Sequence, residues 1–253
     1  MRITPLPSPL PIECRNGEWG KIAASVRCGN LGDVNMADTA LQRKNMVESQ
    51  VRPSDVTDRR IMAAMADLPR ERFVPENLKP LAYMDEALPL VAGRALLAPR
   101  ILARLIQLCE IEAADTVLDV GSLTGYTAAI VARLGRKVLA LDCDAGLAKA
   151  SEAALQSLQC ANVAVVTGPL SGGHAPGAPY DVILIEGAVE HIPEALTSQL
   201  AAGGRLVTIE NLGGIGRAIV MGKNASGQLS YRAAFEASAG LLAGFERAKS
   251  FVF

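Results

Sequence analysis

The stretch Val117-Leu118-Asp119-Val120-Gly121-Ser122-Leu123-Thr124-Gly125-Tyr126 decides the fold. Its first half is short, aliphatic and β-branched, the composition of a strand buried on both faces. Asp119 lies near the strand end, and Gly121 and Gly125 then punctuate a turn that opens into a helix, Tyr126–Leu134. In open α/β sheets, ligands sit at the carboxyl ends of the strands, where the strand order reverses. Gly121 lets the backbone turn tightly and approach a ligand, and Gly125 allows close entry into the helix. Seventeen residues past Gly125, a second aliphatic run, Lys137–Asp142, also ends in an acid. A carboxylate placed there accepts hydrogen bonds from both hydroxyls of a ribose. An ordinary βα turn with a strand-terminal Asp is the structural alternative. The combination of two acid-bearing strands and paired glycines outweighs it and points to a nucleoside.

A dinucleotide would call for Gly-x-Gly-x-x-Gly, which seats a pyrophosphate on the helix N-terminus. Leu123 stands where the middle glycine would be, and no third glycine follows at that spacing. The pattern suits a sulfonium nucleoside without phosphates better than NAD, so an NAD-dependent oxidoreductase is disfavoured.

Outward from this segment, aliphatic runs recur at Asn162–Gly168, Tyr180–Ile185 and Arg205–Glu210, separated by helical stretches Ala145–Leu158 and Pro193–Ala201. Apolar strands alternating with helices imply a parallel sheet covered on both faces. Ala218–Lys223 and Leu229–Phe235, joined through Asn224-Ala225-Ser226-Gly227, read as an antiparallel hairpin closing the sheet. The fold class expected is α/β, Rossmann-like and mostly parallel, with a C-terminal antiparallel hairpin and an N-terminal helical extension. Helices are expected at Ala37–Gln50 and Asp58–Asp67, the second with Thr57 as N-cap and with Ile61, Met62, Met65 and Leu68 on one core-facing stripe. Pro69 to Pro99 reads as irregular chain, and Ile101, Leu102, Leu105, Ile106 and Leu108 mark a further helix. Ser238–Phe245 reads as a loop lying across the hairpin. Three segments follow: 1–35, rich in Pro, Gly and Asn, as an irregular extension with Met36 an alternative start; 36–110 as a helical, acceptor-side region; and 111–253 as the nucleoside-binding domain.

Composition narrows the class further. The 253 residues carry a net charge of −1, so nothing in the balance favours nucleic acid or an anionic membrane. The five cysteines are scattered and odd in number, which favours reduced thiols over a disulfide framework. Two histidines, His174 and His191, exclude a multi-histidine metal site, and no metal is expected. No apolar run approaches the roughly 20 residues of a membrane span. The expected location is the cytoplasm, and the sequence leaves the oligomeric state open.

The order VLDVGSLTGYTAAIVARLG, KVLALDCD and YDVILIEGAVEHIPEALTSQLAAGGRLV resembles a class I S-adenosylmethionine-dependent methyltransferase. More narrowly, the chain resembles the protein-L-isoaspartate (D-aspartate) O-methyltransferases from about Lys44 to Lys223. That family's Pro-Arg-Glu-x-Phe-Val-Pro is matched by Pro69-Arg70-Glu71-Arg72-Phe73-Val74-Pro75. Its Ala-Tyr-x-Asp segment is matched by Ala82-Tyr83-Met84-Asp85. The resemblance implies S-adenosylmethionine as cofactor, S-adenosylhomocysteine as product, and methyl transfer to the α-carboxylate of isoaspartyl residues in damaged protein. By the same resemblance Asp119, Gly121, Ser122 and Gly125 border the methionine part of the cofactor, Asp142 its ribose, and Glu186 the side of the cleft. Tyr83 and Asp85 are the polar candidates for catalysis, with Arg94 and Arg100 as carboxylate partners.

Three positions depart from the family pattern. In gapless register from Asp85, the Thr-Ile-Ser-Gln-Pro segment falls on Ala95-Leu96-Leu97-Ala98-Pro99, so both hydroxyls are gone. The Gly-Asp-Gly after the third strand is Gly168-Pro169-Leu170, and the middle glycine of the first motif is Leu123. Transfer to a carboxylate needs alignment and desolvation more than a strong base, so lost positioning groups predict a lower rate or another acceptor. The alternative function is therefore a divergent member that binds the cofactor but methylates another acceptor, or is inactive and serves in binding or regulation.

Overall fold

A computed structural model describes residues 36–247 of the chain. The expectations for residues 1–35, including the alternative start, concern the segment that precedes the described residues. The chain opens with α1 (Met36–Met46), then α2 (Arg59–Asp67), a small hairpin β1 (Leu88–Val91) and β2 (Arg94–Leu96), and α3 (Pro99–Leu108). There follow β3 (Thr116–Val120), α4 (Tyr126–Ala132), β4 (Lys137–Asp142), α5 (Ala145–Ser157) and β5 (Val163–Thr167). The last elements are β6 (Tyr180–Val189), α6 (Glu194–Ser198), β7 (Leu200–Asn211), β8 (Gly216–Lys223) and β9 (Leu229–Glu236).

The seven-stranded sheet runs β5-β4-β3-β6-β7-β8-β9. Strands β3 to β7 pair in parallel, while β7–β8 and β8–β9 are antiparallel. The chain winds from β3 out to β5, then returns to lay β6 on the other side of β3. The order thus reverses at β3, which places a ligand crevice at the carboxyl ends of β3, β4 and β6. Side chains alternate along each strand and divide the apolar residues into two clusters. Val117, Val138, Ala140, Val182 and Leu184 join the larger one under α2, α3, α4 and α5. Leu118, Val120, Leu139, Leu141, Ile183 and Ile185 join the smaller one with Leu196 of α6. The larger cluster also takes Met46, Ile61, Met65, Phe73 and Leu97, so the helical extension shares the sheet's core. No described helix is long and apolar enough to cross a membrane.

Three local expectations are corrected. Asp58, not Thr57, caps α2: its carboxylate accepts from the Arg60 backbone N–H, while the Thr57 N–H goes to Gln107 Oε1 at 2.6 Å. The Pro69–Pro99 stretch is not wholly irregular, because Leu88 pairs with Leu96 across the β1–β2 hairpin. The 238–245 segment lies on β6 rather than across the β8–β9 hairpin: Ala188 N–H donates to Gly240 O and Leu242 N–H to Ala188 O, both at 2.9 Å. Leu242 and Phe245 bury there, and Gly240 lies so close to the Gly93 carbonyl in the β1–β2 turn that a side chain would not fit between. The sheet end and the hairpin are thereby tied together.

Candidate cofactor site

Strand parity assembles the site. Asp119 shares its face with Val117, Asp142 with Ala140, and Glu186 with Leu184, so all three acids project to the face of the larger cluster. They sit on the adjacent strands β3, β4 and β6, whose backbones lie roughly 4.8 Å apart. All three are buried. The turn above them is fixed by Gly121 and Ser122 N–H groups, both donating to Leu141 O at 2.8 and 3.2 Å. Gly121 takes φ +82° and Gly125 φ +90°, the left-handed region that glycine enters without strain. A side chain on Gly125 would also collide with Ser151 Oγ. Leu123 holds the same left-handed region at φ +52° and buries its side chain in the larger cluster, away from the turn. That is how a leucine occupies a place where glycine is expected.

The acids differ in what they touch. Asp142 is saturated: Oδ1 accepts from Arg94 Nη1 (2.9 Å) and Asp144 N–H (2.9 Å), and Oδ2 from Arg94 Nη2 (2.6 Å) and Leu123 N–H (2.8 Å). Glu186 Oε2 accepts from Thr127 Oγ1 at 2.6 Å, leaving Oε1 without an N–H or alcohol donor. The Asp119 and Glu186 side chains hydrogen-bond each other, and among the described residues no N–H or alcohol hydroxyl donates to Asp119, while Ser122 Oγ is unpartnered. Burial, followed by the charge of Glu186, its hydrogen bond and then the charge of Asp142, pushes the Asp119 carboxyl well above the usual carboxylate range. Burial likewise pushes Glu186 up to about 7, against the lowering effect of Thr127. Both shifts favour a proton held within the Asp119–Glu186 pair. For Arg94, burial opposes the charge, but the paired Asp142 carboxylate outweighs it and raises the guanidinium further. A buried acid left without a donor costs folding free energy, and such groups concentrate where a ligand completes them.

The acceptor-side residues have partners of their own. The Tyr83 hydroxyl bonds Glu71, and Asp85 pairs with Arg100 at 2.8 Å. Neither shares a hydrogen bond with the acid cluster. Of the two arginines expected to serve carboxylates, Arg100 takes Asp85 and Arg94 takes Asp142. Arg70, fully buried, donates from Nε to Ala82 O (2.8 Å) and from Nη2 to Leu97 O (2.7 Å), and lies 4.9 Å over the Tyr126 ring. Sequence reasoning quoted Arg70 only as part of a motif and missed Thr127. The signal for Thr127 was a hydroxyl two residues into the helix after Gly125. Among the described residues, no cluster of His, Cys, Asp or Glu is arranged to hold a metal.

The sequence model for protein-L-isoaspartate (D-aspartate) O-methyltransferase matches residues 41–237. The chain belongs to that family. It is similar to the protein-L-isoaspartate O-methyltransferase of Koribacter versatilis, 42% identical over 168 residues, covering 66% of this chain and 76% of the relative. Protein-L-isoaspartate O-methyltransferase 1 of Rhodopseudomonas palustris is 40% identical over the same length, covering 66% and 69%. Among solved structures, a protein-L-isoaspartate O-methyltransferase superposes with a TM-score of 0.71 at 24% identity, covering 80% of this chain and 66% of that one. A Plasmodium falciparum structure named for the same activity, in complex with S-adenosyl-L-homocysteine, gives 0.67 at 18% identity, covering 79% and 97%. These two likenesses show the fold.

The cofactor of this methyltransferase family, S-adenosylmethionine, fits the residues present. The oxygens of Asp119 and Glu186, to which no N–H donates, and the free Ser122 hydroxyl suit an ammonium group and a neighbouring cation. Arg94 Nη2, Leu242 and the Glu186 carbonyl face Gly121 at 3.5, 3.6 and 3.8 Å from where a Cβ would stand, so these groups border any ligand at the turn. One feature is tight: Asp142, the residue placed for a ribose, has its lone pairs filled by the Arg94 fork and two backbone N–H groups.

Proposed function

We propose that the protein is an S-adenosylmethionine-dependent methyltransferase acting on the α-carboxylate of isoaspartyl residues in damaged protein. The observation that carries this reading is the pair of buried acids, Asp119 and Glu186, that no N–H or cation satisfies at the switch point, in a chain that matches the family across residues 41–237. When bound, the cofactor supplies an electrophilic methyl group on a positively charged sulfur. Asp119 and Glu186 hold negative charge and acceptor oxygens against its charged end, and Asp142 is placed for the ribose hydroxyls. The acceptor carboxylate is already an anion at neutral pH, so no general base is required, and the protein's task is alignment and exclusion of water. The burial of Phe73 against Tyr126, with Leu97 in the same core, supports that exclusion. We place the enzyme in the cytoplasm, supported by the reduced thiols of Cys109 and Cys160.

A second reading is favoured by Leu97 and Ala95, which present no hydroxyl where the family pattern has two. It is a divergent member that keeps the cofactor but takes another acceptor. Calorimetric titration with S-adenosylmethionine and S-adenosylhomocysteine, followed by radiolabelled transfer to an isoaspartyl peptide and its aspartyl control, separates the readings. Incorporation into the isoaspartyl peptide alone supports the first. Binding without incorporation into either peptide supports the second, and absence of heat at millimolar ligand rejects both.

A further inference from the structure

We propose that Arg94 is the ligand of the acceptor's α-carboxylate, held on Asp142 until the cofactor's ribose takes that carboxylate and releases it. The proposal rests on the reading of the site given above. Its first observation is that Asp142 has no lone pair to spare: the Arg94 fork takes one position on each oxygen, and the backbone N–H groups of Asp144 and Leu123 take the others. Leu123 and Asp144 donors belong to the turns that shape the cleft and stay with the backbone. The guanidinium is the only one of the three partners on a side chain long enough to leave. Ribose hydroxyls reach Asp142 by replacing it.

The second observation is what a released Arg94 would meet. Its side chain is only 10% exposed, and its Nε–H already lacks a partner. It starts between Asp142, Cys143 and the Gly121 turn, with Glu186 as a further nearby charge. Moved off Asp142, a largely buried guanidinium loses its bidentate partner, which is costly unless another carboxylate takes that place. A carboxylate matches its planar fork in geometry and charge. The positions that would otherwise hold an acceptor, Ala95 on β2 and Leu97 just past its end, carry no polar side chain. The β1–β2 turn is pinned at Gly93 by Gly240, so the side chain swings from a fixed backbone. Cofactor and acceptor are thereby coupled: the acceptor's carboxylate is gripped only once the cofactor is seated.

The test uses the full-length protein, R94Q and R94K. Calorimetry with S-adenosylhomocysteine alone reads the holding contact. Removing a competitor that occupies Asp142 most of the time tightens Kd by about tenfold in R94Q. R94K, which keeps the charge but not the fork, falls between R94Q and the natural protein. Steady-state kinetics with an isoaspartyl peptide at saturating cofactor reads the acceptor contact. The peptide KM rises on the order of tenfold to a hundredfold in R94Q, with kcat changed much less. Unchanged or weaker S-adenosylhomocysteine binding in R94Q overturns the holding contact. Tighter binding with an unchanged peptide KM overturns the acceptor role. If R94Q does not fold, judged by circular dichroism, the same two readings on R94K decide. Should the natural protein bind S-adenosylhomocysteine yet methylate no isoaspartyl peptide, the substrate reading fails and the acceptor role falls with it. The calorimetric comparison still decides the contact with Asp142.

Discussion

The cofactor side and the acceptor side of this molecule solve opposite problems. At the ends of β3 and β6 the chain holds two buried acids, Asp119 and Glu186, bonded to each other and to Thr127 but to no N–H or cation, beside an unpartnered Ser122 hydroxyl. It also holds Leu123 in a left-handed conformation. Across the cleft, charged groups of the region from Arg70 to Leu97 have partners within it or close by: Arg70 the Ala82 and Leu97 carbonyls, Glu71 Tyr83, Asp85 Arg100 and Arg94 Asp142, although Asp85 Oδ1 and Arg94 Nε stay unpartnered. Unsatisfied groups mark where a ligand completes the structure, and satisfied ones mark architecture. The contrast teaches that the cofactor cleft is chemically open while the acceptor wall is built for shape, with Arg94 as the one charged group reaching from the second to the first.

The largest expected effect is on the architectural side. Arg70→Leu leaves two buried carbonyls without donors and should cost about 3 kcal/mol of stability, read by urea unfolding. The affinity of the folded protein for S-adenosylhomocysteine should stay within about twofold. An unchanged unfolding midpoint would break the distinction drawn between the two regions. Asp142→Asn should do the converse. With near-ultraviolet circular dichroism intact, cofactor affinity falls on the order of 30-fold, because a charged acceptor of hydroxyl groups becomes a neutral one. Affinity equal to that of the natural protein would remove Asp142 from the cofactor site.

Leu97→Ser tests the wall itself. Replacing a buried leucine with a hydroxyl should cost about 3 kcal/mol of stability. It should nevertheless raise kcat for an isoaspartyl peptide by about tenfold if a positioning hydroxyl is restored. An unchanged rate would mean that Leu97 does not occupy the serine's place.

The smallest effect is the dependence on pH. Glu186 is raised from its ordinary 4.5 to about 7, so the protonated form is favoured in the folded protein. Its contribution to stability is full below 4.5 and is lost as pH rises through about 7. Cofactor binding has the opposite sign. A cation beside Asp119 and Glu186, with Asp142 and Arg94 flanking them, favours the ionised pair, so binding releases a proton and tightens as pH rises through about 7. The change should be about threefold between pH 6 and 8, less than the tenfold per unit that one fully linked proton allows. Titration in buffers of different ionisation enthalpy measures the proton directly. Proton uptake on binding would place the cation elsewhere.

Much of the cofactor side was legible in the sequence. The aliphatic runs, the glycine turn and the acids at the ends of Thr116–Val120 and Lys137–Asp142 are local signals, set by a period of two and by turn chemistry. The acceptor side was less so. The β1–β2 hairpin is short and shifts register between Pro89 and Val91, so it left no alternating pattern to read. The Arg70 side chain became buried through carbonyls 12 and 27 residues away.

By itself, then, the sequence determined the strands, the turn at Gly121–Gly125 and the acids Asp119 and Asp142 at the strand ends, because neighbours along one strand settle each of these. The tertiary structure alone decided what those acids touch. Arg94 reaches Asp142 across 48 residues, Thr127 reaches Glu186 across 59, and the 238–245 segment seals β6 beside the hairpin. Hydrogen bonds and charge act through space over a few ångströms. Which donors arrive at a buried carboxylate is therefore fixed only when the sheet, the hairpin and the C-terminal segment have packed.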